Sequence, residues 1–321
     1  MRALLIVNPN ATSTTPAGRD LLAHALESRV ELAVAHTGHR GHAAELAQQA
    51  AADGMGLIVV HGGDGTVNEV INGFLPKPVL GPANSLSAGW MPRIAVVPGG
   101  SANVFARSLG TSSDPVVATN QLIDLLSSDT TRRIGLGYAD DRWYTFTAGM
   151  GLDARVCEAI DSSRNDGHAV TPARYVRTTV QEFFKSKGSH PTLTVELEGA
   201  EPVSGVHYAF VSNSSPWTYL NTLPVHTNPG TSFDTGLGVF AMRSTSMVST
   251  LRLARQLLTP GAEPKLDKLF RVDDVPCARF TSSVPIGLQM DGDYLGLREE
   301  VVFHSVPQAL EVVAPKPDPK G

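Results

Sequence analysis

Up to about residue 130, short apolar blocks alternate with longer amphipathic ones. Arg2–Val7 (RALLIV), Val30–Ala35, Leu57–Val60 and Arg93–Val97 are brief, rich in β-branched residues and bounded by turn formers, which predicts buried strands. Between them, Pro16 opens a helical pattern with Leu21, Leu22, Ala25 and Leu26 on one face. Ala43–Ala52, a run from near Thr66, Ala102–Leu109 and Asp114–Ser127 read as further helices. Such alternation predicts an α/β domain with a parallel, doubly wound sheet, whose ligands bind beyond the carboxyl ends of the strands. Asn8, Thr37 and Gly62 all fall at such ends.

From Thr131 the period changes. Arg132–Tyr138, Trp143–Ala148, Thr192–Glu198, Val206–Val211, Leu237–Met242 and several runs after Phe270, Pro285–Met290 among them, are short, alternating and turn-bounded. They predict an antiparallel β domain, interrupted by helical stretches at Asp153–Ile160, Pro172–Lys187 and Met247–Leu258. Pro76–Pro92 is rich in Pro, Gly and Ser and reads as a surface excursion, and Pro315–Gly321 as a disordered tail.

The composition fits this outline. A chain of 321 residues, 42% hydrophobic, holds two ordinary domains. A net charge of −5 supplies no basic field for nucleic acid. Cys157 and Cys277 are too few for a disulfide framework, which suits a reducing cytoplasm. No stretch reaches the roughly 18 apolar residues of a membrane span.

The chemistry concentrates in Gly56–Gly73, GLIVVHGGDGTVNEVING. Glycines between a strand and a helix let the backbone turn tightly and present bare N–H groups to an anion. The helix that follows adds its own unpaired N–H groups and partial positive charge. Gly62, Gly63 and Gly65 thus form a phosphate cradle around one carboxylate, Asp64. A carboxylate beside phosphates repels them unless a cation intervenes, so Asp64 is expected to reach Mg²⁺ directly or through water. Pro98-Gly99-Gly100-Ser101-Ala102-Asn103 repeats the strand–glycine–helix logic, with Ser101 placed to cap the helix.

Three other patterns carry less. His36, His39 and His42 have a metal-like rhythm but no nearby Cys or carboxylate pair, so a solvated loop is expected. Gly149–Ala154 matches GxGxxA, yet the next pattern is helical rather than a parallel strand, which leaves a structural turn. Gly236–Ala241 also matches but runs into a strand, and no GxxxxGK[ST] is present.

GGDGTVNEV, with Asn8-Pro9-Asn10-Ala11-Thr12 before it and PGGSAN after it, resembles the diacylglycerol/sphingosine lipid kinase family. NAD kinases and phosphofructokinases share only the GGDG part. The resemblance covers nearly the whole chain. It implies an NAD-kinase-like nucleotide domain over 1–131, a β-sandwich for the lipid over 132–304 with the active cleft beside it, a return of 305–314 to the first domain, and a tail over 315–321. It further implies ATP and Mg²⁺, with γ-phosphoryl transfer to a lipid hydroxyl, diacylglycerol leading, and a place in phospholipid biosynthesis. Asn8, Pro9, Asn10, Ala11, Thr12, Thr37, Gly62, Gly63, Asp64, Gly65, Thr66, Val67, Asn68 and Ser101 would hold nucleotide, with Asp64 serving the catalytic metal. Many relatives have Asn-Asp where this chain has Asn103-Val104.

In the family an Asp-Gly-Glu turn supplies the base that takes the proton from the lipid hydroxyl. Here the turn is Asp291-Gly292-Asp293, which makes Asp293 that base. Read without the family, it is a hairpin turn with two solvated acids. A structural Mg²⁺ site, Ser-x-x-Asp-Gly-Leu in the family, becomes Ser232-Phe233-Asp234-Thr235-Gly236-Leu237, so the site is lost or displaced onto Asp234. Arg174, Arg177, Lys185 and Lys187, with Tyr175, Phe183 and Phe184, suit peripheral contact with anionic lipid at the inner face of the membrane, or a solvated face over an aromatic stripe. A homodimer is left open. The rival readings are a sphingoid-base or glycolipid kinase, an NAD kinase and a non-catalytic lipid-binding protein.

Overall fold

The computed structural model describes residues 1–81, 83–87, 89–151, 154–159, 190–220, 222–259, 261 and 263–317. Two compact units emerge, Met1–Gly135 with Pro307–Gly321, and Leu136–Val306.

In the first unit, strands β1 (Arg2–Val7), β2 (Glu31–His36), β3 (Leu57–Gly62) and β4 (Arg93–Pro98) are joined by α1 (Pro16–Glu27), α2 (His42–Ala52) and α3 (Asp64–Phe74). The end of β16 (Asp293–Val312) pairs in parallel with β4, Val312 beside Ile94, so the strand order is β16-β4-β3-β1-β2. The β4–β3, β3–β1 and β1–β2 pairs are parallel as well. β3 is buried at every position and β1 and β4 nearly so. The reason is cover on both faces. Ala3, Leu5, Val7, Leu57, Val59, Ala95 and Val97 form one core with Leu22 and Leu26 of α1 and with Ala118 and Leu122 of α5 (Pro115–Ser127). Alternation along the strands turns Leu4, Ile6, Ile58 and Val60, equally buried, to the opposite face.

Helices α2 and α3 pack closely because Gly73 has no side chain; a Cβ there would collide with the Ala44 backbone. β2 is the edge strand, and most of its positions stay exposed. Asp114 caps α5 by accepting from the Val116 and Val117 N–H groups.

In the second unit, β14 (Leu269–Val275), β13 (Leu237–Met242), β10 (Tyr208–Ser212), β7 (Thr147–Met150) and β15 (Cys277–Met290) pair in that order, all antiparallel. The register of β15 against β16 shifts between Thr281 and Ile286. Its first half pairs with β8 (Leu193–Leu197), which pairs with β9 (Val203–Val206), while its last residues pair with β7. β5 (Arg132–Ala139) pairs with β16 and with β6 (Arg142–Tyr144), and β11 (Thr218–Leu220) pairs with β12 (Leu223–Val225). Met150, Val195, Val211, Val239, Phe280, Leu288 and Phe303 share one core.

Four expectations are corrected. The Trp143–Ala148 run is two strands, β6 and β7, and the Val206–Val211 run is split between β9 and β10. The helix expected over Ala102–Leu109 is shorter, α4 (Val104–Ser108), and starts after Asn103, whose φ is 49°. Gly149 and Met150 belong to the antiparallel β7, so the GxGxxA match is a strand end. The helix expected over Pro172–Lys187, with its basic and aromatic residues, lies outside the described residues.

Candidate active site

The order β3-β1-β2 means the chain leaves β1 to one side and returns to the other. The loops after β1 and β3 therefore flank the point where the order reverses, the usual ligand crevice of an open α/β sheet. Both loops are glycine- or asparagine-rich here. Asn8 donates its backbone N–H to His61 O (3.0 Å) and its amide to the Thr66 hydroxyl (3.0 Å), tying the first loop to α3. The Asn10 N–H donates to Asn8 Oδ1 (3.0 Å), which fixes the Asn8–Thr12 turn.

The glycine loops after β3 and β4 lie backbone against backbone. A Cβ on Gly100 would stand 2.6 Å from Gly63 Cα, and one on Gly99 would stand 3.1 Å from Gly62 Cα. Gly99 N–H donates to Gly62 O (2.9 Å), continuing the β3–β4 ladder into the loops. Gly65 differs. A Cβ there meets nothing within 4 Å, so the fold itself does not demand glycine at this position. Gly63 is the N-cap of α3, and no side chain caps that helix.

Asp64 is engaged by the protein itself. Its Oδ2 accepts from the Val104 N–H and its Oδ1 from the Phe105 N–H, both at 3.0 Å. Asp64 therefore caps α4 from the first turn of α3, in the place expected of Ser101. Ser101 is exposed, and Asn103 closes the turn instead, accepting from Gly100 N–H (2.8 Å) and donating to Gly100 O (2.7 Å). A carboxylate at the start of a glycine-flanked helix is the kind of oxygen donor that a water-mediated Mg²⁺ partnership uses.

The other nucleotide candidates divide by exposure. Thr12 is exposed, Pro9 and Asn10 likewise, and Ala11 and Thr37 are half-buried. Thr66, Val67 and Asn68 are buried, and Asn68 Oδ1 accepts from the Asn72 amide (3.1 Å), so these three position the loop from beneath. The sequence reading missed Thr14. Its hydroxyl is buried without a protein partner, and it lies against Gly99, while the Ser13 N–H donates to Gly99 O (2.7 Å). A hydroxyl in such a position suits an anion held by the glycine loops.

In the second unit, Asp291 (φ 50°) and Gly292 (φ 85°) make a two-residue hairpin, with Met290 paired to Asp293. The reading of two solvated acids is wrong. Asp291 is 7% exposed, and its carboxylate accepts from the N–H groups of Thr145 (2.6 Å), Phe146 (3.0 Å) and Thr147 (3.1 Å) and from the Thr145 hydroxyl (2.8 Å). Burial pushes its carboxyl above the ordinary value, and these four donors pull the other way. Asp293 is paired with Arg142, Oδ2 to guanidinium 2.6 Å, its side chain 19% exposed. Arg142 lies 151 residues earlier, and no local pattern in the sequence joins the two.

The Ser232–Leu237 loop is closed by its own threonine. Thr235 Oγ1 accepts from Ser232 N–H (2.9 Å) and lies 3.0 Å from Ser232 O, while Asp234 is exposed and Leu237 buried. These residues do not fit a structural Mg²⁺.

Among the histidines, the structure adds what the sequence reading left out. Glu45, three residues along α2 from His42, brings a carboxylate to within 4.8 Å of the ligand atoms of His39 and His42. The two rings nonetheless stack with planes 10° apart, so their in-plane lone pairs run parallel, and Gly38 N–H already donates to His42 Nδ1 (2.9 Å). His36 lies by Arg19 instead (3.3 Å).

Residues 2–137 match the family model described as the diacylglycerol kinase catalytic domain. The chain is similar to a diacylglycerol kinase of Bacillus subtilis, 31% identical over 157 residues, which are 47% of this chain and 46% of that one. A diacylglycerol kinase of Staphylococcus aureus is 26% identical over 275 residues, 86% of this chain and 79% of that one. The chain spans less than half the length of the first curated relatives it matches. In fold it is similar to the crystal structure of a diacylglycerol kinase from Bacillus anthracis, with a TM-score of 0.71 at 19% identity over 99% of this chain and 97% of that one.

Proposed function

We propose, on the premise that this chain belongs through residues 2–137 to the diacylglycerol-kinase-like lipid kinases, that it transfers the γ-phosphoryl group of ATP to a lipid hydroxyl, with diacylglycerol as acceptor and phosphatidic acid as product. The observation that carries the reading is the pair of glycine loops pressed together after β3 and β4, the β3 loop standing beside the switch point of the parallel sheet, with open space beside Gly65. The first unit is then an NAD-kinase-like nucleotide fold.

Backbone N–H groups around Gly63 and Gly65 and the start of α3 bind the phosphates, and the Thr14 hydroxyl adds a further donor. Asn8 and Thr66 hold the two loops in register. Mg²⁺, when bound, neutralises the charge on the phosphoryl oxygens, and Asp64 is the residue assigned to it, through water. Asp293 accepts the proton of the attacking hydroxyl, late along a loose phosphoryl-transfer path. Arg142 orients its carboxylate, and Asp291 fixes the turn. Such catalysis comes mainly from positioning and electrostatics.

Among the described residues no helix is long and apolar enough to cross a membrane. The likeness to lipid kinases supports a cytoplasmic enzyme acting at the inner membrane face. The test is incubation with ATP and Mg²⁺ and either dispersed diacylglycerol or NAD. Phosphatidic acid is the expected product. Phosphorylation of NAD alone, or of neither, contradicts the proposal.

A further inference from the structure

Helix α6 (Met247–Leu257), capped by Ser246, packs onto the second unit through Leu253 and Leu257, which join Phe210, Phe240 and Met242. At 100° per residue its opposite arc carries Met247, Leu251, Ala254 and Leu258 in one row, with Val248 beside it. An outward arc is ordinarily polar. Here Val248 is 60% exposed, Leu251 64%, Leu258 45% and Met247 43%. Arg255 lies within the same arc and Arg252 on its shoulder, both exposed.

Along the helix and the residues leading into it the charge is one-sided, while Lys265, bonded to Gln256, brings Glu263 to its carboxyl end. Between Thr235 and Glu263 the sequence has no acidic residue, while Arg243, Arg252 and Arg255 are all cationic. Arg243 N–H donates to Lys268 O (2.8 Å), which brings the Lys268 backbone to the same end of the helix. The chain as a whole carries −5, so this patch stands against the sign of the molecule. An apolar row flanked by arginines is complementary to a surface that is apolar beneath and anionic above.

We propose that the outward face of α6 rests on an anionic lipid bilayer, with Met247, Val248, Leu251 and Leu258 in the acyl boundary and Arg252 and Arg255 on headgroup phosphates. Choosing a bilayer over a protein partner rests partly on the lipid-kinase reading above; the apolar row and its charge do not. None of its residues is among those assigned to nucleotide or proton transfer. Its role is to bring a water-borne enzyme to the membrane in which its acceptor is dissolved.

The test is co-sedimentation of the full chain with vesicles of phosphatidylcholine alone or with phosphatidylglycerol added, at low and at 0.5 M salt. Binding is expected to the anionic vesicles and to weaken at high salt. Removing one arginine, Arg252→Gln or Arg255→Gln, should weaken it about fivefold, and Leu251→Ser about tenfold or more. All three side chains are exposed, so melting temperature and phosphorylation of a short-chain, water-soluble acceptor should stay at wild-type values. Either arginine variant leaves the apolar row untouched and keeps the test independent of any effect of Leu251→Ser on folding. Equal binding of wild type and variants, or no binding to anionic vesicles, overturns the proposal. So does a solution dimer that protects α6 from hydrogen exchange and is dispersed by Leu251→Ser. Vesicle binding by a chain that phosphorylates no lipid would leave this surface standing and refute the kinase reading instead.

Discussion

Replacing Asp64 by asparagine keeps the size of the side chain and removes one of its two acceptor oxygens. The Val104 and Phe105 N–H groups now each have an oxygen at 3.0 Å. In the variant one of them faces an NH₂ group. A part-buried donor left unpaired costs about 1–3 kcal/mol, and loss of a helix cap is by itself worth about 0.5–2 kcal/mol. The two figures describe the same bond, so they do not add. Asp64→Asn should therefore lower stability by about 1–3 kcal/mol, and Asp64→Ala, which strands both donors, by more. With roughly 2–4 °C per kcal/mol for a large domain, the melting temperature should fall by about 2–12 °C. Urea unfolding followed by far-ultraviolet circular dichroism measures the change, with lipid phosphorylation assayed on the same samples at a temperature where the variant stays folded. Activity should fall by orders of magnitude as well. Unchanged unfolding of both variants would refute the capping role, and unchanged Mg²⁺ dependence of the rate would refute the catalytic one.

The other predictions are tested in the same way. Asp293→Asn should lower kcat about 10²–10⁴-fold, the usual worth of a general base, with nucleotide binding unchanged, whereas Asp291→Asn should first show as loss of stability, because four donors converge on that carboxylate; single-turnover kinetics and melting on both variants decide. Gly65→Ala should fold like wild type yet bind nucleotide weakly, whereas Gly73→Ala should destabilise the first unit, where a Cβ meets the Ala44 backbone; melting with and without Mg²⁺–ATP separates the two effects. His61 is buried, which holds its imidazole below the ordinary value, so the unfolded chain takes the proton first. Its contribution to stability is complete above about pH 6.5 and is lost as the pH falls through the lower folded value. His61→Gln should flatten the fall in stability between about pH 7 and pH 5, and an unaltered pH profile would contradict that.

Much of the first unit was legible because its signals are local. The runs at Leu57–Val60 and Ile94–Val97 are fully apolar, and each leads within two residues into glycines that both turn the chain and mark the site. The edge strand β2 was legible only as a block, since most of its positions are exposed and it lacks the depth of its neighbours. What the sequence hid is pairing at a distance. Asp64 meets Val104 and Phe105 some 40 positions away, Asp291 meets Thr145 and Asp293 meets Arg142. In each case a carboxylate was visible and its partner was not, so acids that fix backbone were read as solvated or reserved for metal. Thr235 was visible as a hydroxyl in place of a carboxylate, and its bonds to the loop backbone were not. Thr14 left no signal, because a threonine in a polar turn looks like any other until Gly99 is laid against it.

The central claim is transfer of phosphate to a lipid hydroxyl, and label transfer tests it most directly. The full chain is incubated with γ-labelled ATP, Mg²⁺ and a dispersed total lipid extract, and the products are separated and weighed by mass spectrometry. One labelled product at the mass of phosphatidic acid, absent without Mg²⁺ and strongly reduced by Asp293→Asn, is the expected result. Label confined to inorganic phosphate or to NAD, or a labelled lipid formed equally well by Asp293→Asn, would contradict the account.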